Sequence, residues 1–108
     1  MTQNSGSKDS LNWLVEWFAS HCDGEWEHQE GVVIENLDNP GWSLKISLRE
    51  TALENVPFEA VEHNYNNDVS WWRCWVEHSV FHAACGARDL ASVVDVFRQW
   101  STQHERSG

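Results

Sequence analysis

The stretch GVVIENLDNPGWSLKISLR, residues 31–49, decides the fold. In its second half Trp42, Leu44, Ile46 and Leu48 alternate with Ser43, Lys45, Ser47 and Arg49, the period of two expected of a strand covered on one face. The first half, GVVIENL, is rich in β-branched residues, which suit a pleated surface. Between the halves, DNPG has turn chemistry: Pro40 presets its own φ and Gly41 tolerates a positive one. The stretch reads as an antiparallel hairpin.

Outward from it, the period changes to that of a helix on both sides. Before it, Leu11, Leu14, Val15 and Phe18 recur at helical spacing, Trp13 and Trp17 widen the stripe, Asp9 or Ser10 caps the start and Gly24 provides the stop. This predicts a helix from about Ser10 to His21 or Cys22. After it, Leu90, Val93, Val94, Phe97 and Trp100 predict a helix over 88–101, with Asp89 near the positive end of its dipole. Between hairpin and last helix, a strand is expected around Phe58–Tyr65, a turn at Asn66–Asp68, and a strand in VSWWRCWVEHS (69–79) with Trp72, Cys74 and Val76 on one side and Trp71, Arg73 and Trp75 on the other. A short fifth strand at Val80–Ala84 is allowed. The expected class is α+β: an antiparallel four- or five-stranded meander sheet with N- and C-terminal helices packed on one face. Residues 9–102 form one domain, with tails at 1–8 and 103–108.

Composition narrows the function. The chain has 108 residues, of which 41% are hydrophobic and eight are Trp, ample for a core. No leader-like apolar segment occupies the first ten residues and no apolar run is long enough to cross a bilayer, so a cytoplasmic protein without membrane contact is expected. Cys22, Cys74 and Cys85 form no CxxC pair and read as reduced thiols. Seventeen acids against seven bases give a formal net charge of −10. Thirteen of the acids fall in two base-free windows, Lys8 to Lys45 and Arg49 to Arg73. Such a field disfavours direct nucleic-acid binding and favours encounter with a basic protein.

Three groups are candidates for chemistry. His78 and His82 have a ligand spacing that works on a helix; on a strand they stand about 13 Å apart, too far for one metal ion. His21, Cys22 and His28 straddle a helix end without a second anchoring pair, so no metal or other cofactor is expected. Cys85 precedes a helix start and has His82 nearby, the pairing of a thiol nucleophile with a base; the favoured reading is nevertheless a small buried residue packing at a strand end, a common place for Cys. Asp23, Glu25 and Glu27 sit in an acid-rich turn without a desolvating pocket or partner base, and no phosphate loop or GxSxG elbow is present.

Trp13, Trp17, Trp42 and Trp100 lie on predicted apolar stripes and are assigned to the core. Trp71 and Trp75 cannot share a sheet face with Trp72, so one large aromatic group is exposed or needs further cover. Trp26, among acids, suits an interface anchor.

The runs CDGEWEH (22–28), ENLDNPGW (35–42), WWRCWVE (71–77) and DLASVVDVFRQW (89–100) resemble the immunity protein 53 family of bacterial polymorphic-toxin systems. The resemblance implies a small α+β cytosolic protein, not an enzyme, that binds and silences a cognate toxin domain. Its motif positions are Cys22, Asp23, Gly24, Trp26, Glu27, His28, Leu37, Asp38, Asn39, Pro40, Gly41 and Trp42. One departure is AACGAR (83–88), where the family is Gly-rich, so no family role passes to Cys85. The expected partner is a basic toxin domain, such as a nuclease with a cationic cleft, and no direct nucleic-acid contact by the inhibitor itself is expected. The expected toxin-binding residues are Asp23, Glu25, Trp26, Glu27, His28, Glu35 and Asp38. A cysteine- or metal-dependent enzyme using Cys85 and His82, and a general protein-interaction adaptor, are the alternatives.

Overall fold

The computed structural model describes residues 6–64 and 70–105. The hairpin forms as read: β1 (Val32–Leu37) pairs antiparallel with β2 (Gly41–Ser47), Val32 opposite Ile46 and Leu37 opposite Gly41. Gly41 is needed for a different reason from the one expected. Its φ is not positive; instead a Cβ there would run into the carbonyl oxygen of Cys85 on the neighbouring strand. The peptide bond before Pro40 is cis.

Three further strands follow: β3 (Val61–His63), β4 (Trp72–Glu77) and β5 (Val80–Gly86). The five-stranded sheet is antiparallel throughout in the order β1-β2-β5-β4-β3. Chain neighbours therefore pair within β1-β2 and within β3-β4-β5, while β5 joins the two sets by lying against β2, Leu44 opposite Ala83. The expected strand at 58–65 is only three residues long, because Phe58 turns into the core against Phe81 and Trp100 at centroid distances of 5.4 and 5.0 Å. Tyr65 and the turn expected at 66–68 lie outside the described residues.

Register fixes the two faces. Ile34, Leu44, Ala83 and Cys74 share one face; Val33, Lys45, His82 and Trp75 share the other. The first is the inner face, covered by α3 (Leu90–Glu105), whose Val93, Val94, Phe97 and Trp100 are buried over β4 and β5. Burying each such side chain contributes about 1.5–3 kcal/mol. α1 (Gly6–His21) packs chiefly on α3: Trp13 and Trp17 meet the Phe97 ring edge-on at 5.8 and 5.1 Å. Both helices run further toward the termini than expected.

This contact rotates α1 away from its expected orientation. Leu14 and Trp17 are buried, but Leu11 and Val15 remain 52% and 53% exposed. Ser10 is a fully buried residue inside the helix, not its cap, and its hydroxyl donates to Asp95 on α3. The stripe that governs is the one whose indoles reach Phe97.

Candidate functional site

Residues 21–42 form a corner and a hairpin. α1 ends at His21; beyond it Gly24 takes the left-handed region, φ 95°, and a single helical turn, α2 (Trp26–Gln29), follows. Two carboxylates build the corner. Asp23 accepts the backbone N–H groups of Glu25 and Trp26, both at 2.9 Å, and Glu27 reaches back to those of Asp23 and Gly24 at 2.9 and 2.8 Å. Each satisfies donors that a short helical turn leaves open. The carboxyls are held below their ordinary values: Asp23 chiefly by the Trp26 N–H and then that of Glu25, Glu27 by its own N–H and then by those of Asp23 and Gly24.

Trp26 is not the exposed anchor that its acidic neighbours suggest. It is 3% exposed, its ring packs beside Trp17, Phe18 and His21, and its Nε1 donates to the Arg49 carbonyl at 2.9 Å. Trp26 belongs to the core, which corrects the exposed position expected of it as a toxin anchor. Glu25 and His28 stand exposed on the corner. Glu30 is engaged, accepting from the Ser47 hydroxyl at 2.6 Å and pairing with Arg49 at 3.4 Å.

Glu35 projects from the outer face of β1 opposite Ser43, and Asp38 lies in the turn after β1; both are exposed. Among the described residues neither these two nor Glu25 makes an ion pair. β1 spans five residue steps of about 3.4 Å, which separates the corner from Asp38 by roughly 17 Å. The structure therefore brings Asp23, Glu25, Glu27 and His28 together at one end of β1 and leaves Glu35 and Asp38 along it: a margin, not a cluster.

The cysteine alternative does not assemble. Three positions apart on β5, His82 and Cys85 face opposite sides of the sheet, so the imidazole cannot reach the thiol. Cys85 is fully buried, and burial followed by the charge of Asp89 pushes its thiol up to about 11. That is the reverse of an activated nucleophile. Asp89 itself is used structurally, its carboxylate accepting from the Trp71 N–H at 2.9 Å just ahead of α3. His78 occupies the β4–β5 turn and is far from forming a two-histidine pair with His82 on one helix face. Among the described residues no group of three or more His, Cys, Asp or Glu is arranged to hold a metal ion.

One surface feature was not read from sequence. On the outer sheet face Trp75 stacks on His82, centroids 5.1 Å apart, and the Arg73 guanidinium lies 4.7 Å from the Trp75 ring centre. Alternation placed Trp75 and Arg73 on this face, but their partner depends on the register set by the β4–β5 turn. The imidazole is held below its ordinary pKa, first by partial burial and against the pull of Glu77.

These features define an α+β protein with helices on one face of a five-stranded antiparallel sheet. The sequence model of the family described as immunity protein 53 matches residues 11–102. The chain belongs to that family. Membership suggests a toxin-neutralising role, implies a cognate toxin as partner, and places the chain among proteins that are generally not enzymes. No curated protein and no solved structure matches the chain. No described helix is long and apolar enough to cross a membrane.

Proposed function

We propose that this protein is a cytoplasmic immunity protein that binds a cognate toxin domain of a polymorphic-toxin system and blocks a basic active-site cleft with the acidic margin of residues 21–42. The observation that carries the reading is the family match over 11–102. Supporting the choice of surface, Glu25, Glu35 and Asp38 are exposed and without ion pairs among the described residues, on a chain of net charge −10. Asp23 and Glu27 add their charge from the corner they build. Carboxylates so placed compete with a phosphate backbone for cationic groups, which suits a nuclease as the toxin.

The test is co-expression with the toxin-domain product of the adjacent reading frame. Growth rescued in cells that otherwise die, together with a complex isolated from them, is the expected result. Cell death despite full expression of the folded protein, with no complex, overturns the reading.

A further inference from the structure

The two edges of the sheet are guarded differently. β3 is three residues long, and its Glu62 pairs with Arg73 of the next strand at 3.6 Å. A very short edge strand offers little to a docking chain. β1 is six residues long, contains no Lys and no Pro, and pairs without a bulge over its whole length. Its Val33 and Ile34 are 49% and 38% exposed on opposite faces.

The orientation of its free backbone groups follows from one bond. Ser47 N–H donates to the Gly31 carbonyl at 2.9 Å, which makes the 31/47 pair a hydrogen-bonded one. In an antiparallel ladder such pairs alternate, so residues 33, 35 and 37 also face β2. Val32, Ile34 and Asn36 therefore aim their N–H and C=O groups away from the sheet. That is a row of three donors and three acceptors at an edge.

Charge selects the occupant. Glu35 rises from the middle of β1, Asp38 follows its end, and Asp23, Glu25 and Glu27 lie before its start. A second copy would bring the same acids against themselves on two chains of net charge −10 each. An extended basic segment meets opposite charge along the whole edge. We infer that β1 receives an extended, Lys- or Arg-bearing segment of the toxin as a sixth strand, an inference that rests on the toxin-binding reading above. Main-chain bonds from Val32, Ile34 and Asn36 supply affinity; Val33 and Ile34 give apolar contact on the two faces, and Glu35 pairs with a basic side chain.

Asn36→Pro tests this, since the lost N–H points outward and β1 keeps its bonds to β2. Asn36→Ala separates loss of the side chain from loss of the donor. With the catalytically inactivated product of the adjacent reading frame as probe, Asn36→Pro is expected to weaken binding about tenfold or more and Asn36→Ala less than about threefold. In the wild-type complex the amides of Val32, Ile34 and Asn36 gain protection from hydrogen exchange, a readout that holds even if the proline variant does not fold. A wild-type complex in which these amides exchange as in the free protein overturns strand addition and leaves toxin binding standing. Protection that rises with protein concentration alone identifies a second copy and also overturns it. Failure of the wild-type protein to bind the probe at all removes the toxin-binding reading, and strand addition with it.

Discussion

The indole N–H of Trp26 donates to the carbonyl of Arg49, 23 positions along the chain, and so bonds the α1–α2 corner to the backbone just past β2. The bond and the packing on Trp17 and Phe18 make Trp26 a structural keystone of the acidic corner. Trp26→Ala removes a buried aromatic ring and leaves the carbonyl without its donor. A loss of about 3–5 kcal/mol in urea-induced unfolding is expected. Trp26→Phe, which retains most of the ring volume, should lose clearly less. Equal losses would show that the bond and the packing do not act as described.

Acid should loosen the same corner. Asp23 and Glu27 are held below their ordinary values of 3.8 and 4.5 by backbone N–H donors. A carboxyl depressed in the folded state contributes stability that is present above its unfolded pKa and is lost as pH falls through the folded one. The melting temperature is therefore expected to fall on acidification from about pH 5 to about pH 3, with part of the slope due to these two groups. Asp23→Asn and Glu27→Gln should each flatten the profile in that window, and carboxyl NMR titration should place both midpoints below the ordinary values. Profiles superimposable on the wild type would remove the two carboxylates from the acid response.

Much of this architecture is legible in local pattern, and the parts that are not share a cause. The alternation Trp42, Leu44, Ile46 marks β2 and its inner face because period two has a single structural meaning. The orientation of α1 is hidden because Leu11, Leu14, Val15, Trp13 and Trp17 together cover more than one face, and the choice among them is made by Phe97, 80 or more positions away. The joining of β5 to β2 is likewise non-local. The β4–β5 turn carries His78 and Ser79 at positive φ, 55° and 61°, without the Asn or Gly that usually announces such a turn, so the Trp75–His82 register could not be anticipated. At the corner, charge misleads: the acids beside Trp26 suggest exposure, whereas Asp23 and Glu27 cap backbone donors while the indole turns inward.

Gly41 sits where β2 meets β5, opposite Gly86, and has no room for a side chain against the Cys85 carbonyl. Gly41→Ala must push the strands apart or shift their register. A destabilisation of about 1–3 kcal/mol is expected, with amide protection lost first near residues 41–43 and 84–86. Gly24, with no atom within 4 Å of an added Cβ, has open space but a left-handed φ of 95°. Gly24→Asn should therefore be tolerated far better than Gly24→Val. A Gly41→Ala variant as stable as the wild type would contradict the close approach.

Thiol reactivity separates the binding protein from the cysteine-enzyme alternative. Cys22 is exposed, whereas Cys74 and Cys85 are fully buried and their thiols are pushed up to about 12 and about 11. Near neutral pH an alkylating reagent in excess is expected to add one label, at Cys22, and to add the other two only in denaturant. Even Cys22 should react slowly, because partial desolvation and then the charges of Glu27 and Asp23 raise its thiol. Preferential labelling of Cys85 in the folded protein would revive a nucleophilic role for it.

The electrostatic part of the proposed mechanism has a kinetic signature. Charge reversal should avoid Asp23 and Glu27, whose loss alters the corner itself, and use Glu25, Glu35 and Asp38, which are exposed. Changing these three to Lys moves the formal net charge from −10 to −4. Long-range steering acts on association more than on dissociation, so the association rate with the toxin domain should fall about 10- to 100-fold at low salt. The deficit should shrink as salt is raised, since the screening length contracts from about 30 Å at 0.01 M to about 8 Å at 0.15 M. Melting temperature should change little, because no described bond is lost. Glu59→Lys, a reversal at an exposed position in the 51–60 segment, controls for net charge alone. If it slows association as much per charge as the three margin reversals do, the steering belongs to the whole molecule and the margin loses its special role; if only the margin variants are slowed, the toxin approaches along β1.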